Sequence, residues 1–519
     1  MLQLITVILI AFTSRFLIIS NANTGFDTYG HLYFAKQVKE QDVGAFGEIV
    51  TRVVGSREFS HPFLWHWLIS FFPIQKVLQF QKWINSGIDA VFAILIYFLA
   101  LWINLDQKTA FLITLLYLST PMWFSSLSLG PRITNLTPRL ASELITNLFF
   151  IVTLLPLSLP TWLSLILGSL LSSFVVLSSK FGLQAILFFT PLISLLAWNF
   201  IPICALILGI ILSISLTKGN FMKSVNTQLQ HLVWYFKKNL TRDMAVSNRN
   251  VFSTFHKTKK LKQNFIMNLS KELILYNSYT STVIKMPVLL TGFILYFWSF
   301  IHNIEQPNSS LIVPVSVAIL LFFIINLPPL LFLGEAERYL NHVAFFIVTT
   351  TAILAINANL SWVVWIVIGY GFIYWFIESF FLHKILPSSL QVREDIDQNL
   401  ILYLNSLEKS VVILSYPYHA VGVWRIMLET EHETIYPLTT SQEYAQKFEQ
   451  LYADDYPYVK LEKLDEMTYQ LGVQLVILLK EKLVSRGYQN WSPSSLWKKL
   501  DIGEPIYNVY QINSEDNSY

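Results

Sequence analysis

The chain predicts a mainly α fold: a polytopic bundle of about eleven membrane-crossing helices with a C-terminal soluble α/β domain. Three observations predict it. Of 519 residues, 54% are hydrophobic and only 13% charged, about half the charged share of an ordinary soluble domain, and mean hydropathy is +0.49. Apolar runs of spanning or nearly spanning length recur from the N-terminus to about residue 382. After Leu386 the runs shorten to strand length, and charged, helical stretches separate them.

A helix crosses the hydrocarbon with roughly 20 mostly apolar residues, and with fewer when its ends lie in protein or interface. That measure places spans near 1–20, 84–103, 109–121, 144–157, 161–178, 183–198, 201–216, 286–303, 311–333, 343–358 and 361–382. Residues 1–20 have no Lys or Arg ahead of the apolar stretch and no small-residue cleavage pattern behind it. They therefore read as a retained first helix and not as a signal peptide.

The connecting loops alternate in character. Those at 104–108, 158–160, 199–200, 304–310 and 359–360 are short and nearly bare, whereas 21–83, 122–143, 179–182, 217–285 and 334–342 hold most of the polar residues. Successive loops fall on opposite sides of the bilayer, so one face carries the chemistry. The tail, 386–519, joins that face. In it Val411–Leu414, Val473–Leu479 and Ile506–Gln511 read as strands, and nineteen acids against eleven bases from Ser388 onward suit a solvated domain.

Composition also excludes. A net charge of +3 gives no reason to expect nucleic acid as a partner. The single cysteine, Cys204, sits inside an apolar run, which leaves no disulfide framework and no thiolate or zinc chemistry. There is no Walker loop, no G-x-G-x-x-G and no H-E-x-x-H, so ATP-driven transport and nicotinamide chemistry have no support.

The rich loops hold the candidate site. Asp27 follows the first span by a few residues, and His31 lies one helical turn beyond it on the same face. A carboxylate at the membrane surface can act as a general base or help bind a divalent metal; the plainer alternative is that Asp27 caps a helix. The aromatic segment Ser60–Pro73 is too short to span and reads as an interfacial helix with Trp65 and Trp67 at headgroup depth. Asp89, Arg139, Glu143, Lys180, Glu335, Glu337, Arg338 and His342 fall at span ends on the same side. Ionisable groups there are costly and face a cavity or a partner, so these suit either an anionic lipid-linked substrate or interhelical ion pairs. The segment Lys218–Glu272, with eleven Lys/Arg against two acids, reads as a lid or interfacial helix meeting anionic phosphate groups, or as a solvated loop.

In order along the chain, FDTYGHLYFAKQV, HPFLWHWL, LTPRLASELITNL at Leu136–Leu148, SSKFGL at Ser178–Leu183 and GEAERYL resemble the GT-C fold of membrane glycosyltransferases over roughly residues 1–385. That group includes protein O-mannosyltransferases and aminoarabinose transferases, which use polyprenyl-phosphate sugars as donors. The resemblance implies that Asp27 is the catalytic acid of the first extracytoplasmic loop and that Lys180 and Arg338 hold the lipid phosphate. His31, Arg139, Glu143, Glu335 and Glu337 would complete the substrate-binding set. Many relatives carry a second acid beside the first, whereas Thr28 follows Asp27 here, so the resemblance leaves a divalent metal optional and implies no certain cofactor. It also implies a multi-pass protein of the cell (plasma or inner) membrane, with the rich face and tail extracytoplasmic, although Lys and Arg counts favour the opposite orientation. The partners would be the bilayer, a polyprenyl-phosphate sugar and a glycan, lipid or protein acceptor. Rival classes are a transporter or lipid flippase, and a membrane-anchored scaffold.

Overall fold

The computed structural model describes residues 2–20, 26–239 and 277–382 of the helical part, with gaps at 46, 55–57, 60–61, 126–131, 156 and 158. Beyond these it describes 398–416, 423–435 and 461–512, with gaps at 486–487, 489–490, 494, 496 and 503–505.

The helical part comprises α1 (Leu2–Ser20), α2 (Phe26–Glu40), strands β1 (Ile49–Val50) and β2 (Glu58–Phe59), α3 (Leu64–Ser70), α4 (Ile74–Trp102), α5 (Gln107–Ser119), α6 (Pro121–Phe124), α7 (Pro138–Leu154), α8 (Thr161–Ser178), and α9 (Lys180–Leu196). It continues with α10 (Ile201–Leu216), α11 (Asn220–Asn239), α12 (Ser278–Lys285), α13 (Pro287–Ile301), α14 (Ser309–Ile325), α15 (Glu337–Asn341), α16 (Ala344–Asn357) and α17 (Ser361–Ile377). The chain is a multi-pass membrane protein. Stretches within α1, α4, α8 and the region from Ser361 to Phe381 are each long and apolar enough to cross alone. The pairs α10 with α11 and α12 with α13 qualify only when joined across bends of 112° and 84°. A helix overlies every predicted span, but among the described residues only four helices, or up to six if each bent pair is one span, are long and apolar enough to cross, fewer than the expected eleven.

Several boundaries differ from expectation, each for a physical reason. Helix α4 starts at Ile74, ten residues before the predicted span, because its inward face there carries the buried polar side chains Gln81 and Asn85, which a hydropathy scan reads as loop. Helix α14 stops at Ile325, and Pro328 and Pro329 turn the chain into a 3₁₀ segment, Pro328–Leu333. The ends of the 217–285 loop are helical, as α11 and α12, and the expected basic lid over 240–276 lies outside the described residues. Helix α3 has seven residues, and Trp65 and His66 pack inward beside Phe63 and Ile69. It is therefore part of the core; only the partly buried Trp67, 4.6 Å from the exposed Phe71 ring, keeps an outward place.

The rich loops meet one another. Lys223 on α11 pairs with Glu48 at 3.1 Å, and Gln228 donates to the Lys180 carbonyl at 2.7 Å. The bare loops meet separately, where Asn199 donates to the Thr153 carbonyl at 3.3 Å and Asn357 to that of Glu305 at 3.0 Å.

The tail adds β3 (Val412–Tyr416), α18 (Val423–Glu429), β4 (Glu433–Thr434), α19 (Leu464–Gln470), β5 (Leu475–Leu479), α20 (Lys480–Ser485), β6 (Trp497–Leu500) and β7 (Tyr507–Ile512). The sheet order is β4-β3-β5-β7-β6, with β3 parallel to β4 and β5, and β7 antiparallel to β5 and β6. The sequence LVILL of β5 is buried throughout, as a strand covered on both faces requires.

This sheet is fastened to the first loop. Thr434 donates to the Arg52 carbonyl and receives the Val54 N–H, both at 3.0 Å, so the loop extends the sheet beyond β4. The Arg52 guanidinium donates to the carbonyls of Met427 and Thr430 and pairs with Glu431 at 2.8 Å, while Lys36 reaches the Leu428 carbonyl. Cations from α2 and the first loop thus satisfy the end of α18, where carbonyls lack helical partners and the dipole favours positive charge. Gly30 lets α2 lie directly under Trp424, since a Cβ there would stand 3.0 Å from the indole.

Arg52→Ala removes charged donors from two carbonyls, those of Met427 and Thr430, and we expect a loss of roughly 1–3 kcal/mol of local stability. Hydrogen exchange of α18 and β4, followed by mass spectrometry in detergent, should rise. Unchanged exchange would show that the docking does not rest on Arg52.

Candidate active site

Local capping sets the positions of the cations. In TPRLASE, Thr137 caps α7 by accepting the Arg139 N–H at 3.4 Å and Pro138 occupies the first helical position, which puts Arg139 in the first turn and Glu143 one turn later. In SSKFG, Ser179 caps α9 by accepting the Gly182 N–H at 3.0 Å, so Lys180 opens that helix. Gly334, at φ +104° and ψ −163°, takes a conformation that only glycine adopts freely, and it turns the 3₁₀ segment into the stretch carrying Glu335 and Arg338. Asp27 is the second residue of α2, so the capping position falls before Phe26 and the simple cap reading of Asp27 does not fit.

These elements bring most of the expected residues together. Asp27, whose side chain is 47% exposed, has a carboxylate oxygen 3.8 Å from the Arg139 guanidinium. Arg338 donates to Glu335 at 2.8 Å, and its Nε is buried with no hydrogen-bond partner among the described residues. Burial, and then the like charge of Arg338, hold the Arg139 guanidinium below its ordinary pKa, opposed by the carboxylates of Asp27, Glu335 and Glu143. Two guanidinium groups in mutual repulsion, one with an unused donor, form a locus that favours an anion. Lys180 opens α9 next to Phe181, which packs on Tyr339 with ring centroids 5.0 Å apart.

Two expected residues turn elsewhere. Glu337 is buried and accepts from Ser278 of α12 at 2.9 Å. Glu143 is fully buried, 3.0 Å from Arg132 Nε, and receives Asn341 Nδ2 at 3.4 Å.

Glu143 belongs to a buried network that sequence reasoning only partly found. Arg15 of α1 donates from Nε to Asp89 of α4 at 2.7 Å, and Arg132 lies 3.2 Å from the other Asp89 oxygen. Tyr117 of α5 donates to Asp89 at 2.6 Å, and Arg15 also donates to the Leu118 carbonyl at 2.9 Å. Asn341 of α15 accepts from Trp123 at 3.2 Å, and its carbonyl receives Asn147 of α7 at 2.9 Å. Arg15 was findable as the one charged residue within the first predicted span, because a lone intramembrane cation implies a partner.

His31 also joins the site, in the electrostatic field of Arg139. Its Nδ1 lies 2.8 Å from Nε2 of His66 on α3, with the two rings stacked at 5.1 Å. Burial, reinforced by Arg139, pulls the His31 pKa down to about 3; burial and then His31 hold His66 well below the ordinary value. Both rings are neutral at physiological pH. Thr28, beside Asp27, is buried: it receives the Leu136 N–H at 3.0 Å and donates to Gln81 at 3.4 Å. Among the described residues no three His, Cys, Asp or Glu side chains are grouped to hold a metal ion.

No protein-family model and no curated protein matches the chain. Solved structures do. It is similar to ArnT from Cupriavidus metallidurans bound to undecaprenyl phosphate, with a TM-score of 0.53 at 10% identity, over 98% of each chain. The chain has the GT-C fold. The archaeal oligosaccharyltransferase AglB from Archaeoglobus fulgidus, in complex with an inhibitory peptide and a dolichol-phosphate, superposes with a TM-score of 0.51 at 11% identity, over 99% of this chain and 74% of its own. The GT-C likeness runs through the tail as well as the bundle, at identities that speak for the fold alone.

Within this GT-C bundle, Asp89→Asn preserves size but leaves Arg15 and Arg132 uncompensated. We expect a loss of about 3–5 kcal/mol, read as a lower unfolding midpoint in detergent; a loss below about 1 kcal/mol would remove the network from its structural role. The histidines give a pH test. The unfolded chain protonates them near pH 6.5 while the folded chain resists to about pH 3 at His31, so their stabilising contribution is complete above about 6.5 and declines as pH falls toward 3. The unfolding midpoint should drop across that window more steeply in the wild type than in a His31→Gln, His66→Gln double variant. Equal slopes would contradict the neutral pair.

Proposed function

We propose that the chain is an integral membrane glycosyltransferase that moves a sugar from a polyprenyl-phosphate donor to an acceptor on the extracytoplasmic side. The observation that carries the reading is the convergence of a half-exposed acid, Asp27, with Arg139 and Arg338 at one rim of a GT-C bundle. Support also comes from the neighbours, since one is bound to undecaprenyl phosphate and another to a dolichol-phosphate with an inhibitory peptide.

In the reaction, an acceptor oxygen or nitrogen attacks the anomeric carbon as the bond from that carbon to the phosphate oxygen breaks. Asp27 takes the acceptor's proton, and the electron pair leaves with the polyprenyl phosphate. Arg338, through its unused Nε, and Lys180 receive the departing phosphate charge, and Arg139 steadies both Asp27 and the anion. The buried Glu143 and Glu337 support this arrangement from behind.

Asp27→Asn keeps size and removes the proton acceptor. Insertion, folding and binding of a polyprenyl-phosphate sugar should persist while turnover falls by roughly 10²–10⁴-fold. The assay is radiolabelled sugar release from the lipid in proteoliposomes. Full turnover in Asp27→Asn would remove the catalytic assignment, and lipid translocation without sugar release would favour a flippase.

A further inference from the structure

The stretch that carries Glu335 and Arg338 has little regular structure of its own. It runs from Leu333, the last residue of the 3₁₀ segment, through Gly334 into α15, whose five residues are too few to hold a helix unaided. Both of its ends are gathered by one buried side chain of α9. The amide nitrogen of Gln184 donates to the Leu333 carbonyl at 2.9 Å and to the Tyr339 hydroxyl at 2.6 Å. That hydroxyl donates in turn to the same carbonyl at 3.2 Å. A carbonyl can only accept, so Gln184 must present its nitrogen and not its oxygen to Leu333, and Tyr339 must point its proton there. The ring of Tyr339 is fixed as well, with Phe181 and Phe188 of α9 at centroid distances of 5.0 and 6.3 Å. Phe181 also lies 3.4 Å from the place a Cβ on Gly334 would take, so the turn rests directly on that helix.

We infer that Gln184 is a positioning residue which, with the Tyr339 hydroxyl, latches the Gly334 turn to α9 and so holds Arg338 beside Arg139 as a ready-made site for a phosphate group. The latch works against a force, because the two guanidinium groups repel one another. A turn free to move would carry Arg338 away from Arg139 until an anion drew it back, and the cost of that ordering would be taken from the binding energy. With the turn fixed during folding, the unused Nε of Arg338 is already in place when the anion arrives. Gln184 stands one helical turn beyond Lys180, so the same latch ties Arg338 to the helix that Lys180 opens. This rests on the glycosyltransferase reading for the ligand, a polyprenyl phosphate, but not for the latch.

The test uses the full-length protein in nanodiscs and two variants: Gln184→Leu, which keeps the bulk of the side chain, and Tyr339→Phe, which keeps the ring and its packing. Amide hydrogen exchange over residues 334–339 should quicken about tenfold in Gln184→Leu, the effect of one hydrogen bond of ordinary net strength, and should quicken in Tyr339→Phe as well. Exchange as slow as in the wild type in both variants would overturn the latch, and Tyr339→Phe decides the point alone if Gln184→Leu does not fold. Binding supplies the positioning readout. The Kd of undecaprenyl phosphate should rise about tenfold in Gln184→Leu, while undecaprenol, with the same chain and no phosphate, should bind as it does to the wild type. Equal weakening of both lipids, or an unchanged Kd for the phosphate despite faster exchange, would contradict the positioning role. Because the two side chains share a hydrogen bond, the double variant should weaken phosphate binding by less than the product of the single effects; a full product would contradict the shared latch. A wild type that binds no undecaprenyl phosphate would contradict the proposed function, whereas the exchange contrast judges the latch without any ligand.

Discussion

Asp89 is the constraint around which the bundle is built. A carboxylate with no exposure to solvent is tolerable inside a membrane protein only when fully compensated, and here two arginines and a tyrosine hydroxyl converge on its two oxygens. Their origins in α1, α5 and the segment before α7 tie three separate parts of the chain to α4. The energetic meaning is asymmetric: the intact cluster adds little over a well-packed apolar core, but loss of one member leaves charge stranded. Such a network specifies an arrangement more than it deepens stability.

That arrangement reaches the site by short steps. Glu143, held by Arg132, is one turn beyond Arg139 on α7, and Asn341, held by Trp123 and Glu143, is three residues beyond Arg338 on α15. The two guanidinium groups at the rim are thus set by the charges buried below them. From the other side, α2 carries Asp27 and is clamped between Thr28, bonded to Leu136, and the tail domain seated on Gly30, Lys36 and Arg52. The tail therefore bears on the acid-carrying helix directly. Whatever else it does, it immobilises the element that presents Asp27.

Much of this was legible in the sequence where a single property decided the outcome. Apolar runs located the helices and strand-length runs located β3, β5 and β7; charges flanking the spans singled out Asp27, Arg139, Glu335 and Arg338, which pair as Asp27 with Arg139 and Glu335 with Arg338. The failures came where two properties conflict. The first turns of α4 were hidden because Gln81 and Asn85 face inward, against the usual rule for polar residues. Arg15 was submerged in an apolar helix, and Arg132 had no local pattern to mark it. Glu143 and Glu337 looked like ligands because sequence shows charge at a span end but not the direction in which the side chain turns. His66 lay within an aromatic segment whose simplest reading was membrane anchoring, and only the packing of α3 onto α2 reveals its contact with His31.

The central claim is that the buried network holds Arg139 and Arg338 so that they receive the phosphate of a lipid-linked donor beside Asp27. The most direct measurement is a cryo-electron microscopy structure in nanodiscs with a non-hydrolysable polyprenyl-phosphate sugar analogue. The account predicts phosphate density within hydrogen-bond reach of Arg338 Nε and adjacent to Arg139, with the anomeric carbon toward Asp27. Phosphate bound away from both arginines, with Arg338 Nε still unengaged, would contradict it.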